Sequence, residues 1–127
     1  MQRPTTQWVR KAEDDWEGAQ DLARRARPLR DLACFHCQQA AEKYLKGLLQ
    51  ELGAAVPRTH DLEDLLDLLV PHDASLASLR RALNSLSRYA VNFRYPGPRA
   101  TQRRMLAALR QVDLVRRELR HRLGLAP

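Results

Sequence analysis

Phe35-His36-Cys37-Gln38-Gln39-Ala40-Ala41-Glu42-Lys43-Tyr44-Leu45-Lys46 places polar side chains along a segment otherwise built for burial. Projected at about 100° per residue, Asp31 to Leu52 puts Cys34, Cys37, Ala41, Tyr44, Leu45, Leu48, Leu49 and Leu52 on one broad helical face. Gln38 falls inside that apolar arc and Glu42 at its margin. His36, Gln39, Lys43 and Lys46 form a narrower stripe beside it, because residues three, four and seven apart are neighbours on a helix surface. A polar group set in a core-facing stripe needs a partner, which is either another helix or a ligand.

Outward from this helix the pattern stays helical. A first helix is expected from near Thr6 to Ala26, with Trp8, Ala12, Trp16, Ala19, Ala23 and Ala26 spaced by three and four, Thr5 or Thr6 as N-cap and Pro28 beyond its end. The second runs from an Asp31 cap to Leu52 and stops at Gly53. Asp61 caps a short third helix whose Leu62, Leu65, Leu66 and Leu69 face inward. Pro71 closes it, and a fourth starts near Asp73 or Ser75, with Leu76, Leu79, Leu83, Leu86 and Ala90 as its stripe. Asn92-Phe93-Arg94-Tyr95-Pro96-Gly97-Pro98 interrupts the pattern, since two prolines and a glycine forbid continued helix. A fifth helix, from Arg99 or Thr101 to Leu123, buries Met105, Leu109, Val112, Val115 and Leu119.

Composition agrees with that pattern. Hydrophobic residues make up 44% of the 127, aromatics 6%, and Val and Ile are scarce, so the core is mostly Leu and Ala and a sheet lacks its β-branched supply. The expectation is an all-α fold, an up-and-down four-helix bundle with an additional short helix, forming a single domain over residues 1–127. No stretch approaches the roughly 18 uncharged apolar residues of a membrane span, and nothing resembles a signal peptide, so a cytoplasmic protein with no membrane association is expected. Cys34 and Cys37 have C-x-x-C spacing, but both project into the apolar arc and no second pair exists; they read as buried small hydrophobes, and no metal site or cofactor is expected.

The formal charge of +7 is uneven: Arg99 to Arg122 holds eight Arg against Asp113 and Glu118. On the fifth helix Arg103, Arg110, Arg117 and His121 share one face, a basic ridge that would attract phosphate or an acidic protein. Arg116 projects instead between Leu109 and Leu123 and calls for a carboxylate partner or an intersubunit groove. Arg94 supplies a fork-shaped donor for phosphate, and Tyr95 an aromatic face for stacking on a base.

Three motifs in this order, Phe35 to Lys46, Thr59-His60-Asp61-Leu62 and Arg94-Tyr95-Pro96, resemble the HEPN domain family (higher eukaryotes and prokaryotes nucleotide-binding). The resemblance implies an all-α bundle that self-associates, often beside a minimal nucleotidyltransferase, and binds nucleotide or substrate or acts as the RNase toxin of a toxin–antitoxin pair. Its catalytic members carry R-x4-6-H, in which His acts as general acid or base and Arg stabilises phosphorane-like charge. Arg30 with His36 and Arg116 with His121 have permitted separations, but among 19 Arg and four His such pairs carry no information. The expected function is therefore a noncatalytic, self-associating binding subunit. Gln38, Glu42, Lys43, His60, Arg94 and Tyr95 line its pocket: Lys43 and Arg94 hold phosphate, Tyr95 stacks, and Gln38 and Glu42 orient the site. The alternatives are a metal-independent RNase using Arg116 and His121, and a structural interaction module.

Overall fold

Pro4 fixes where the first helix begins. Its missing N–H is harmless in a first turn, so α1 spans Arg3–Arg24 behind Gln2, earlier than the threonines suggested. Thr5 is buried instead of capping: its Oγ1 donates to Glu51 Oε1 at 2.9 Å, and the Gln2 N–H reaches the same oxygen at 3.0 Å. These bonds pin the start of α1 to the end of α2 and set the two helices antiparallel. The computed structural model describes residues 1–89, 96–97 and 99–127, and among them every regular element is helical.

Helix α2, Arg30–Glu51, is the axis of the molecule and packs against every other α-helix. Ala33, Cys34, Cys37, Ala40, Ala41, Tyr44, Leu45, Leu48 and Leu49 are buried along it. A helix enclosed this way needs small residues where neighbours come close. At Gly47 an added Cβ would lie 3.2 Å from Trp8 Cβ, so a bare backbone lets α1 pack tightly. Asp31 does not cap α2, whose N-cap is Leu29; its Oδ1 accepts the Ala100 N–H at 2.6 Å and ties in the approach to the last helix. Leu52 is exposed rather than inward-facing, because the helix ends at Glu51 and the chain turns at Gly53 with φ of 74°.

Helix α3, Leu62–Leu69, is capped by Asp61, which accepts the Glu63 and Asp64 N–H groups, and all four of its predicted leucines are buried. The fourth stripe divides: Asp73 caps a 3-10 segment, Ala74–Leu79, which passes into α4, Arg80–Ser87. Leu76, Leu79, Leu83 and Leu86 are buried as expected, while Ala90 lies outside the described residues. Thr101 caps α5, Gln102–Arg122, by accepting the Arg104 N–H at 3.1 Å. Its buried stripe is Met105, Ala108, Val112, Val115 and Leu119; Leu109 sits at the margin.

Candidate functional site

Three polar clusters radiate from α2. The first joins it to the loop entering α3. Gln38 is fully buried: its Nε2 donates to the His60 carbonyl at 3.3 Å and to Glu42 Oε1 at 3.4 Å, and its Oε1 accepts from Gln39 Nε2 at 2.7 Å. One turn on, the buried Glu42 carboxylate also receives His60 Nδ1 at 3.0 Å and Lys46 Nζ at 3.2 Å. Lys46 is itself buried, with its ammonium 5.8 Å from the Trp8 ring centroid, close enough for a cation–π contact. A carboxylate offers acceptors only, so Nδ1 of His60 is the donor and the ring orientation is fixed. The His60 side chain nevertheless remains 73% exposed, and Nε2 is the ring nitrogen left for an outside group. The cluster therefore presents one imidazole held by a buried anion.

Lys43 belongs to a second cluster, against α1. Its ammonium pairs with the buried carboxylate of Asp15, which His36 Nδ1 also reaches at 2.8 Å. Successive positions on α2 point about 100° apart, so Lys43 and Glu42 face different neighbours. The structure thus takes Lys43 out of the Gln38, Glu42 and His60 group, and Lys46 occupies the place beside Glu42. Arg94 and Tyr95 lie outside the described residues.

The third cluster ties α1, α2 and α5 together. Arg116 donates from Nε and Nη2 to the two oxygens of Glu13 at 2.7 and 2.6 Å, and its guanidinium stands 5.6 Å from the Trp16 ring centroid. Tyr44 donates to Glu13 Oε2 at 2.6 Å and accepts from Arg120 Nη1 at 3.0 Å. Burial acts to raise the Glu13 carboxyl, but the bonds from Arg116 and Tyr44 and the two guanidinium charges outweigh it and hold the group below its ordinary value of 4.5. Burial and the bond to Glu13 push the Tyr44 hydroxyl up to about 12. Glu13 is thus the carboxylate that the position of Arg116 called for. His121, five residues on, is exposed and takes no part in the cluster. Arg30 and His36 are likewise apart: His36 is on Asp15, while Arg30 faces a cleft at the start of α2.

Along α5, Arg103, Arg110, Arg117 and His121 are exposed, with Leu106 and Leu114 exposed between them. Arg117 is engaged by Asp113 at 3.1 Å. Cys34 and Cys37 are free and buried; desolvation pushes the Cys34 thiol up to about 11 and Cys37 higher still. Among the described residues no three His, Cys, Asp or Glu side chains converge as a metal site, and no helix is long and apolar enough to cross a membrane. Asp15, Glu13 and Arg120 are the members of these clusters that the sequence reading left out. Only Asp15 carried a signal, an acid between Ala12 and Ala19 in the apolar stripe of α1.

The HEPN domain family model matches residues 5–122. A crystal structure of TT1696 from Thermus thermophilus is 31% identical over 93% of this chain and 94% of that one, with a TM-score of 0.74. The crystal structure of ST0689, an archaeal HEPN homologue, is 26% identical over 96% of this chain and 98% of that one, with a TM-score of 0.77. No curated protein matches.

Proposed function

The chain belongs to the HEPN domain family, and on that premise we propose that it is a noncatalytic, self-associating subunit that binds a nucleotide or nucleotide-bearing substrate around His60 and works beside a minimal nucleotidyltransferase. The observation that carries this reading is the Glu42 carboxylate, buried yet aimed at an exposed imidazole. Here one of its partners is a solvent-facing ring whose orientation is fixed before any ligand arrives, which lowers the ordering cost of binding. Protonated, Nε2 donates to a phosphate oxygen; neutral, it accepts from a hydroxyl or an amine. In this proposal Arg94 and Tyr95 keep the roles their chemistry suggests, a bidentate phosphate donor and a stacking face. Lys43, engaged by Asp15, has none.

The RNase reading draws less support. A guanidinium that stabilises a transition state must be open to the phosphate, and Arg116 is held at both ends of its fork by Glu13 with 13% of its side chain exposed.

Calorimetry of the full chain against nucleoside mono-, di- and triphosphates tests the proposal. A saturable isotherm with at least one nucleotide is expected, weakened about tenfold or more by His60→Ala, a loss of about 1.4 kcal/mol. Failure of the whole panel to bind, or equal affinity in His60→Ala, rejects it.

A further inference from the structure

At the opposite end of α2 the chain passes from α1 through Arg24-Arg25-Ala26-Arg27-Pro28-Leu29-Arg30, seven residues with four arginines and no acid. The Leu29 N–H donates back to the Leu22 carbonyl at 3.2 Å, closing a turn whose Arg27 and Arg30 both line one cleft. Asp31, by accepting the Ala100 N–H, brings the neighbouring Arg99 to the same place. The result is a cleft of about 420 Å³ whose wall carries Arg27, Arg30 and Arg99.

Five described arginines of this molecule are neutralised by their own chain. Arg80, Arg116, Arg117, Arg120 and Arg122 each have a carboxylate within 4 Å. Among the described residues Arg27, Arg30 and Arg99 have none, and no hydrogen-bond acceptor either. Residues 90 to 98, which lead into Arg99, contain no Asp or Glu to supply one. Asp31 is the single acid on the wall, and it is engaged by a backbone N–H rather than by a guanidinium. Three like charges gathered in a concavity repel one another, and the cleft focuses their field.

We propose that this cleft is a binding site for the di- or triphosphate group of a small molecule, separate from the His60 recess. Guanidinium forks meet phosphate oxygens two at a time, and an oligophosphate offers enough oxygens on adjacent centres for all three. The volume is that of a small-ligand site, and three arginines line it. A nucleic-acid backbone, with one charge per phosphate, suits cations strung along a track instead. The first N–H groups of α2, which no side chain caps, add the positive end of a 22-residue helix to the same wall. Glu42 lies twelve residues along α2 from Arg30, about 18 Å away, so the two sites are distinct.

The test is calorimetry of the full chain with inorganic pyrophosphate and tripolyphosphate, with orthophosphate for comparison. Binding with one-to-one stoichiometry is expected, tightening from ortho- to pyro- to tripolyphosphate. Arg27→Gln and Arg99→Gln each weaken tripolyphosphate about tenfold or more, while Arg110→Gln on the basic ridge of α5 leaves it within about twofold. Arg27, Arg99 and Arg110 are exposed, and circular dichroism of each variant confirms the fold before titration. No saturable binding at about millimolar tripolyphosphate overturns the proposal, as does an equal loss in Arg110→Gln, which would mean diffuse charge. A short RNA that binds more tightly than tripolyphosphate and depends on Arg110 as much as on Arg99 overturns it in favour of a nucleic-acid surface. This test is read at Arg27 and Arg99 and the nucleotide test at His60, so either proposal can fail while the other stands.

Discussion

Replacing Glu13 by Gln tests how firmly Arg116 is held within its own chain. The carboxylate accepts two bonds from Arg116 and one from Tyr44, and lies 3.3 Å from Arg120 Nη1. Its loss leaves two guanidiniums, 13% and 15% exposed, with no carboxylate within 4 Å among the described residues. Breaking a fully buried pair from one side costs about 3–5 kcal/mol. Glu13 is 31% exposed, so water and salt screen part of this, and about 2–3 kcal/mol is expected. With an unfolding entropy of about 2.1 cal/mol/K per residue, that lowers Tm by roughly 8–11 °C. The pH dependence has a definite sign. The Glu13 carboxyl is held below its unfolded value of 4.5, so its contribution is complete above that pH and fades as pH falls through the folded value. Urea unfolding of both proteins at pH 7 and toward pH 3 measures the effect: the stability gap should be wide at neutrality and close in acid. A gap under about 0.5 kcal/mol at pH 7, or one unchanged in acid, would refute the claim that Arg116 depends on Glu13.

Cys34 and Cys37, buried with raised thiol pKa values, should resist a thiol reagent at pH 8 until urea unfolds the chain; rapid labelling of the folded protein contradicts this. Asp31→Ala removes the acceptor of the Ala100 N–H and should cost about 1–2 kcal/mol, with faster hydrogen exchange at that amide; an unchanged exchange rate would show that the tie is absent in solution. Lys46→Met strands the buried Glu42 carboxylate without its ammonium partner. A loss of about 2–3 kcal/mol is expected, with a shift in tryptophan emission as Trp8 loses the cation over its ring, and neither should appear if Lys46 is solvated.

The fold was legible where one helix carries its own evidence. The leucines of α3 repeat at three and four behind an aspartate cap, and any packing that buries one buries the rest. Prolines and glycines marked most of the ends, although Pro4 moved the start of α1 ahead of the threonines, because a first-turn proline costs no hydrogen bond. Residues 74 to 87 carry one leucine stripe, and periodicity did not distinguish its 3-10 start from the α-helix that follows. The candidate site was half legible. Gln38 and Glu42 stood out because amide and carboxylate groups are costly in an apolar arc. Their partners were harder, since a projection of α2 shows which residues share a face but not which helix covers it. His36 and Lys43 therefore read as one stripe with Lys46, although Asp15 claims the first two and Glu42 the third. Glu13 and Arg116 are 103 residues apart, and no local pattern links them.

His60 is central as a pre-oriented ligand group, and its imidazole nitrogens report on that role directly. Titrating the 15N-labelled protein with the nucleotide that binds most tightly should move the His60 Nε2 resonance along a saturable curve while Nδ1 keeps its bond to Glu42, and Glu42→Gln should weaken that response. A nucleotide that binds fully while both His60 nitrogens stay where they were would place the ligand elsewhere and contradict the proposed function.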